Sequence, residues 1–220
     1  MSMDEKNKTA AVWDPVVRYG HWALVAAFAV TYLSSEEDTG FPDRLHVWGG
    51  YVIGAIVVLR VIWGFVGSRH ARFNDFAYGP FAAMRYLGGL VSGSARRYIG
   101  HSPAGAMMVF LLLICLAGTV GTGIIAYGQQ GHGPLANLAT TTTTTTTPQS
   151  AQGEDEDADE AGAGQPGERE EGAMEEVHGA LANITLGLII LHILGVLLAS
   201  VRHHENLIAA MISGQKRAGD

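Results

Sequence analysis

Two histidines share one face of a long apolar stretch near the C-terminal end of the chain. His178 and His192 lie fourteen residues apart within residues 177–201. Because each residue turns an α-helix by about 100°, fourteen steps bring the second imidazole to within about 40° of the first. At about 1.5 Å per residue, the rings lie roughly 21 Å apart along the axis, one near each surface of a bilayer. The pattern predicts two buried cofactors, one above the other.

Four apolar segments are long enough to cross a bilayer, at about 17–34, 45–66, 103–126 and 177–201. The 220 residues are 48% hydrophobic and include 29 glycines. A soluble domain of this length does not carry four such segments, so the sequence predicts an all-α membrane protein with a four-helix bundle. A polar stretch without a cleavage site precedes the first segment, which we therefore expect to remain as a helix.

Charged residues divide between the two sides of the predicted bundle, although the formal net charge is −7. Lysine and arginine concentrate before the first segment, in the connection 67–102, and after the fourth segment. With four spans these regions share one side, which the positive-inside rule assigns to the cytoplasm. We therefore expect both termini in the cytoplasm, the acidic connections in the periplasm, and the chain in the lipid of the bacterial inner membrane.

The connection 128–176 differs in composition from the rest of the chain. It holds eight consecutive threonines and, from Glu154 to Glu176, eleven acidic residues. This low-complexity composition predicts a disordered periplasmic loop. The chain then divides into residues 1–127 with three spans, the loop, and residues 177–220 with the fourth span and a cytoplasmic tail.

Three prolines mark the expected starts of helices. Asp14 before Pro15 is typical of a capped helix start, and Pro103 suits the first turn of the third span. Between the second and third spans, Pro80–Leu90 predicts a short amphipathic helix on the membrane surface.

Two further histidines lie at the two depths set by the fourth span. His21 is about one turn inside the cytoplasmic end of the first span, at the level of His192, and His46 is at the periplasmic end of the second, at the level of His178. Paired imidazoles are what a six-coordinate b-type haem iron needs, because the porphyrin supplies the four equatorial nitrogens. A single histidine near an interface is equally often a solvated polar residue. Four that pair by depth favour two haem b groups with bis-histidine ligation.

Small residues flank the predicted ligands. Gly49 and Gly50 follow the second-span histidine within a turn, and Gly179 and Gly195 neighbour those of the fourth span. Small residues let a flat macrocycle approach the backbone, so Gly50 is a candidate cofactor contact, but ordinary close packing of helices explains these glycines equally well. The run GTVGTG at residues 118–123 resembles a phosphate-binding loop only as a string. It lies inside a span, where small-residue packing is the better explanation.

Two arginines and a fifth histidine complete the candidate site. Arg60 lies inside the second span and needs an anionic partner, for which a propionate of the cytoplasmic haem is suited. Arg18, one turn before His21, is a second candidate, although a positive-inside anchor explains it as well. His101 begins the third span beside the cytoplasmic site and could bind a quinone carbonyl there. Helix capping or solvation is favoured over that role.

The cysteine content excludes other kinds of site. Cys115 is the only cysteine, so no internal disulfide forms, and no CxxCH motif is present for covalent attachment of a c-type haem. Bis-histidine ligation leaves no open position on the iron. We therefore expect an electron carrier with no catalytic residue and no nucleic acid partner.

The motifs together resemble the bacterial cytochrome b561 family, which is similar to the b-type haem subunits of membrane-bound nickel–iron hydrogenases and of formate dehydrogenase. The resemblance rests on WDPVVRYGHW, RLHVWGGYVIGAIVVLRVIWGFVGSRHARF, RRYIGHSPAGAMMV and VHGALANITLGLIILHILGVLLAS. It covers nearly the whole chain except about 130–175. It implies a di-haem subunit in which His21 and His192 hold the cytoplasmic haem and His46 and His178 hold the periplasmic one.

The resemblance also implies a role in a respiratory chain. Electrons would pass between the membrane quinone pool and a periplasmic partner, either a cytochrome or an iron–sulfur, hydrogenase-type subunit, with a quinone near His101. One alternative is a partner-independent quinone oxidoreductase that uses a small reductant such as superoxide. A second alternative is a membrane module without redox chemistry, such as a transporter or an anchor.

Overall fold

The computed structural model describes residues 9–36, 42–136 and 166–217. The main elements of this part of the chain are seven α-helices and two short strands, and two 3-10 turns lie at Ser34–Glu36 and Arg69–Ala71. The helices and strands are β1 (Thr9–Ala11), α1 (Pro15–Leu33), α2 (Pro42–Val66), α3 (Phe73–Phe76), α4 (Pro80–Ser92), α5 (Pro103–Gln129), α6 (Pro166–Arg202), α7 (Leu207–Ser213) and β2 (Gln215–Arg217).

Four of these helices are long and apolar enough to cross a membrane, which confirms the predicted multi-pass bundle. The candidate spans are Pro15–Leu33, Arg44–Val66, Pro103–Gln129 and Gly172–Arg202. The closest packing joins α5 to α6 and α1 to α2, and α2 also packs against α5. Ile53, Val57 and Leu116 form the apolar centre of the bundle.

The α6 helix begins earlier than the sequence indicated. Residues 166–176, which composition assigned to a disordered loop, are helical and extend the fourth span. Glutamate, arginine, alanine and methionine dominate this segment and favour helix, and extension of an existing helix needs no new nucleus. The remainder of the predicted disordered loop, residues 137–165, lies outside the described residues.

A two-stranded antiparallel sheet joins the two described ends of the chain and adds a short β element to the helical bundle. Thr9 pairs with Arg217, and Ala11 pairs with Gln215. The backbone N–H groups of Val12 and Trp13 then donate to one carbonyl at the end of α7. Because β1 precedes α1 and β2 follows α6, the sheet fixes the start of the first span and the end of the fourth at the same end of the bundle. We call this the ribbon end.

A small protein core covers the ribbon end. Phe76 is 1% exposed and Leu90 is 2% exposed, although both belong to the polar connection between the second and third spans. The predicted amphipathic helix is confirmed as α4, which buries Ala83, Tyr86 and Leu90 on one side. Its other side exposes a second apolar row of Phe81, Met84, Leu87 and Val91. The connection is therefore a folded cap.

Buried ionic contacts hold the C-terminal strand to the cap. The Lys216 ammonium donates to the Tyr98 carbonyl at 3.0 Å and lies 3.8 Å from the Glu205 carboxylate. The Arg97 guanidinium pairs with the same carboxylate. One acid thus links the residues before α5, the turn after α6 and β2.

The starts of the first and third spans follow the prediction. Asp14 caps α1 by accepting the Val17 N–H at 2.9 Å, with Pro15 in the first turn. Its carboxylate also accepts from the Trp63 indole at 3.0 Å and from the Ser68 hydroxyl. Ser102 caps α5 in the same way ahead of Pro103. Asp14 therefore ties the start of α1 to the end of α2.

Replacing Asp14 with alanine is expected to lower the free energy of unfolding by about 1 kcal/mol or more, because loss of an N-cap alone has that effect. Asp14→Ser keeps a capping oxygen but removes the contacts to Trp63 and Ser68, so it should fall between the alanine variant and the parent. Thermal unfolding followed by circular dichroism in detergent measures the series. An unchanged midpoint for Asp14→Ala would show that α1 does not depend on this cap.

The same carboxylate gives the stability a pH dependence. Burial raises the pKa of Asp14, but the hydrogen bonds from Ser68, Trp63 and the first turn of α1 outweigh it and hold the pKa below its usual value of 3.8. The unfolded chain therefore binds a proton at a higher pH than the folded protein. The stabilisation is fully present above about pH 4 and is lost as the pH falls through the folded pKa. Asp14→Ser should remove this acid-dependent component.

Candidate functional site

The structure brings the four predicted ligand histidines together in two pairs. The ring centroids of His46 and His178 are 5.8 Å apart with planes at 79°, and we call these the outer pair. The centroids of His21 and His192 are 6.5 Å apart with planes at 58°, and these form the inner pair, nearer the ribbon end. Each pair joins α6 to a different helix, α2 for the outer pair and α1 for the inner pair.

The separations suit two imidazoles on opposite sides of one metal ion. A metal–imidazole bond is about 2 Å long, and the ring centroid lies about 1 Å behind the nitrogen. Two rings that share one ion therefore have centroids about 6 Å apart. Among the described residues no group of three or more histidine, cysteine, aspartate or glutamate side chains could hold a metal. Two protein donors per site suit an iron whose other ligands come from a porphyrin.

The outer pair is oriented by main-chain carbonyls. His46 Nδ1 lies 3.0 Å from the carbonyl oxygen of Thr31 on α1. His178 Nδ1 lies 2.9 Å from the carbonyl oxygen of Thr119 on α5. In each ring Nδ1 must carry the proton to donate to a carbonyl, so Nε2 keeps its lone pair. A metal-bound histidine has this same arrangement, because its second nitrogen donates to an acceptor that fixes the ring.

The inner pair lacks such anchors within the described part of the chain. His21 Nδ1 is buried and has no hydrogen-bond partner there. The His21 and Trp22 rings meet edge to face, with centroids 5.3 Å apart. The His192 ring lies against the His21 ring. The two sites therefore share a donor set but differ in what holds the rings.

Space remains beside the paired histidines. Within the described residues, α6 makes at most sparse backbone contact with α1 and α2, so the histidines face each other across a gap. Gly50 follows His46 by four residues and shares its face, and a Cβ added there would meet no atom within 4 Å. The same holds for Gly179 and Gly195. The donors and the open glycines together fit a flat macrocycle at each pair.

The two candidate arginines bind main-chain carbonyls at the ribbon end. Arg60 donates to the Ala71 carbonyl at 3.3 Å and lies over the Phe73 ring at 5.2 Å. Arg18 donates to the Ile212 carbonyl of α7, and its buried Nε has no hydrogen-bond partner within the described residues. Each guanidinium has five N–H donors, so these contacts leave donors for a further group.

His101 is half-buried in the cap with a buried Nδ1, so the expected capping role is wrong and solvation applies to part of the side chain only. Ser102, and not His101, supplies the cap of α5. The His101 ring lies 4.1 Å from the Phe76 ring and 4.7 Å from the Trp13 ring, measured between centroids. Burial, with the positive charges of Arg60 and Lys216, lowers its pKa to about 3. A neutral imidazole with an unpartnered Nδ1 therefore lies at the ribbon end.

Sequence reasoning missed the residues that orient the outer pair. Thr31 and Thr119 act through their carbonyl oxygens, which every residue has, so their type gives no signal. Gly49 and Gly123 did carry a signal, since they lie in the glycine-containing stretches noted above. A Cβ on Gly49 would lie 1.9 Å from the Thr31 hydroxyl, and one on Gly123 would lie 2.9 Å from the His178 ring. These glycines allow the close approach.

Comparisons with known proteins identify the family and one distant relative. The sequence matches the family described as prokaryotic cytochrome b561 over residues 12–214. It is similar to a probable Ni/Fe-hydrogenase B-type cytochrome subunit of Rhizobium leguminosarum bv. viciae, with 26% identity over 132 residues. That alignment covers 49% of this chain and 54% of the relative, so the chain spans about half the length of the curated relative. No solved structure matches the chain.

The family match takes in nearly all of the chain. Residues 12–214 contain the four candidate spans and both pairs of histidines. With that range matched, the chain belongs to the prokaryotic cytochrome b561 family.

Proposed function

We propose that this b-type membrane cytochrome carries electrons between a periplasmic redox partner and the membrane quinone pool, through two haem b groups with bis-histidine ligation. Family membership supports membrane electron transfer by a cytochrome b. The observation that carries the finer proposal is the pair of imidazole pairs, with centroids 5.8 Å and 6.5 Å apart at two depths. One such pair would serve a single haem, whereas two stacked pairs suit a path across the bilayer.

The protein's contribution to this function is ligation, orientation and exclusion of water. Haem b, when bound, supplies a one-electron Fe(III)/Fe(II) couple. His46 and His178 present Nε2 to the outer site, and the Thr31 and Thr119 carbonyls keep those rings from rotating. Buried side chains of α2 and α5 between the two levels keep the path dry. Histidine rings held in this way, in a low dielectric, would limit rearrangement on electron transfer.

Three residues flank the proposed haem positions. Gly50 leaves space beside His46 for the outer macrocycle. Arg18 and Arg60 are the proposed partners of propionates at the inner site, because both guanidinium groups lie at the ribbon end. Charge-assisted hydrogen bonds from arginine suit a carboxylate that must be held near the membrane surface.

His101 is the proposed contact of a quinone at the inner site. A quinone carbonyl accepts hydrogen bonds, so it needs a neutral donor that is not lost to solvent. The half-buried ring between Phe76 and Trp13, with its buried Nδ1, meets that need, and the aromatic side chains offer a flat apolar wall. Under this proposal, quinone exchange occurs at the ribbon end of the bundle.

The proposed orientation puts the ribbon end in the cytoplasm of a bacterium. The arginine-rich cap and both described ends of the chain lie at this end, as the positive-inside rule requires. The opposite end leads into the acidic connection, where a periplasmic partner would dock. The similar Rhizobium protein is described as a hydrogenase cytochrome subunit, which supports a hydrogenase-type or other periplasmic redox subunit as that partner.

Haem content tests the ligand assignment directly. The purified protein should show a b-type α-band in a reduced-minus-oxidised spectrum and two haems per chain. His192→Ala should lose the inner haem and keep the outer one, because α6 contributes one ligand to each site. His204→Ala, at an exposed histidine after α6, is the matched control and should keep both. Two haems retained in His192→Ala would contradict the pairing.

Quinone binding tests the role of His101. His101→Phe preserves an aromatic ring in the cap but removes the hydrogen bond, so quinone affinity should fall about three- to tenfold, as expected for loss of about 1 kcal/mol. The measurement is the rate of haem reduction at varied quinol concentration, with spectra to confirm both haems. His203→Ala, which breaks a contact with Tyr86 elsewhere in the cap, should leave the affinity unchanged. Equal affinity in His101→Phe and the parent protein would place the quinone elsewhere.

Site-directed labelling tests the orientation. In a Cys115→Ala background, single cysteines replace Ser94 in the cap or Gln130 after α5, both of which are exposed. A membrane-impermeant maleimide should label Gln130→Cys in intact spheroplasts and Ser94→Cys only after the membrane is permeabilised. The reverse pattern would invert the proposed topology.

A further inference from the structure

We propose that the carbonyl oxygens of Thr31 and Thr119 are positioning groups that give the outer haem a lower reduction potential than the inner haem. The inference rests on the proposed function, since it assumes that each histidine pair holds a haem. It goes beyond that function because it ranks the two sites and names the groups that produce the difference.

The two carbonyls share a local arrangement. Thr31 accepts from His46 Nδ1 and also from the Ser34 hydroxyl, three residues later, at 3.0 Å. Thr119 accepts from His178 Nδ1 and also from the Thr122 hydroxyl, again three residues later, at 3.0 Å. The Thr122 hydroxyl is shared, because it lies closer to the Gly118 carbonyl, at 2.8 Å, whereas the Ser34 hydroxyl donates to Thr31. At Thr31 one oxygen therefore divides its acceptor capacity between an imidazole and a hydroxyl, and at Thr119 it does so in part. A change of the hydroxyl-bearing side chain should therefore alter how strongly the carbonyl oxygen accepts the hydrogen bond from the imidazole.

Glycine packing brings these carbonyls within reach. The α1 and α2 helices approach so closely at Gly49 that a Cβ there would lie 1.9 Å from the Thr31 hydroxyl. A Cβ on Gly123 would lie 2.9 Å from Cε1 and 3.1 Å from Nδ1 of His178. Gly123 belongs to the GTVGTG run, so one glycine of that run seats a ligand ring. Gly121 in the same run has no atom within 4 Å of an added Cβ. The close contact with the His178 ring is therefore a property of Gly123 and not of every glycine in the run.

The hydrogen bond affects the potential through the ligand. An imidazole whose Nδ1–H donates to a carbonyl is a stronger base at Nε2, and a stronger donor favours Fe(III) over Fe(II). The couple takes up one electron at the iron and no bond to the ligand breaks. Both outer ligands have this bond, whereas His21 Nδ1 has no partner within the described residues. The outer iron should therefore be harder to reduce.

Nearby charges act in the same direction. Glu175 lies one turn before His178, and negative charge near the outer site favours the ferric form. Arg18 lies one turn before His21, and positive charge near the inner site favours the ferrous form. Ligand basicity and local charge therefore both place the outer potential below the inner one.

A pair of serines provides the sharpest test. Ser34→Ala removes the hydroxyl that shares the Thr31 carbonyl, so the His46 hydrogen bond should strengthen and the outer potential should fall. Ser35→Ala is the matched control, because its hydroxyl donates to the carbonyl of Tyr32, also three residues back, at 2.7 Å and not to the acceptor of a ligand. Loss of a merely structural contact would not lower the potential of one haem selectively.

A pair of glycines tests the other ligand with the opposite sign. Gly123→Ala displaces the His178 ring from its acceptor, so the reduction equilibrium of the outer haem should move about tenfold toward Fe(II), which is about 59 mV upward for one electron. Gly121→Ala should leave both potentials unchanged. If Gly123→Ala cannot bind the outer haem, Ser34→Ala still tests the proposal, because that change adds no atoms to the site.

Spectroelectrochemical titration of the full-length protein gives both potentials, and His192→Ala identifies the outer haem. The expected result is a lower outer potential that falls further in Ser34→Ala and is unchanged in Ser35→Ala. Two bound haems with the outer potential equal to or above the inner one, or no response to Ser34→Ala, would overturn this inference alone. A protein that binds no haem, or one that keeps two in His192→Ala, would instead overturn the proposed function.

Discussion

The second nitrogen of each paired imidazole is the constraint on which the site depends. A histidine that binds a metal through one nitrogen still needs a hydrogen-bond acceptor for the N–H of the other, and the hydrocarbon region offers no water for that role. In the outer pair, main-chain carbonyls of α1 and α5 accept these hydrogen bonds. A helix carbonyl can reach a neighbouring side chain only if the helices approach closely, and Gly49 and Gly123 allow that approach. Packing and ligand orientation are therefore one feature of the bundle.

The ribbon end meets the same constraint in a different way. Among the described residues, His21 Nδ1, His101 Nδ1 and Arg18 Nε are all buried there without a hydrogen-bond partner. Buried polar atoms are almost always satisfied in folded proteins, so each of these three atoms is a candidate contact for a bound group. Thr31 Oγ1 and Gln129 Oε1, at the opposite end of the bundle, are unsatisfied as well. A propionate suits the guanidinium, and a quinone carbonyl suits the neutral imidazole. The cap, with its own apolar core and the Glu205 ion pairs, encloses these atoms at the ribbon end.

Much of this arrangement could be predicted from the sequence, because it depends on hydropathy and helical period. The four spans, the cap of α1 at Asp14 and the helix at Pro80 all follow from local composition. The pairing of histidines followed from depth alone. The sheet between the chain ends could not be predicted, since three-residue strands at sequence positions more than two hundred apart leave no periodic signal. The burial of His101 was equally hidden, because it depends on Phe76 and Trp13 from distant segments.

The fourteen-residue spacing on α6 also determines which helices supply the partners. At about 100° per residue, His192 points about 40° away from His178. Packed helices such as α1 and α2 have axes about 8–10 Å apart. The directions from α6 to these two helices therefore differ by tens of degrees. One imidazole therefore meets α2 and the other meets α1. A spacing of eighteen residues, about five full turns, would direct both rings toward the same helix. The offset in spacing thus lets one helix contribute a ring to two histidine pairs while α1 and α2 remain packed against each other.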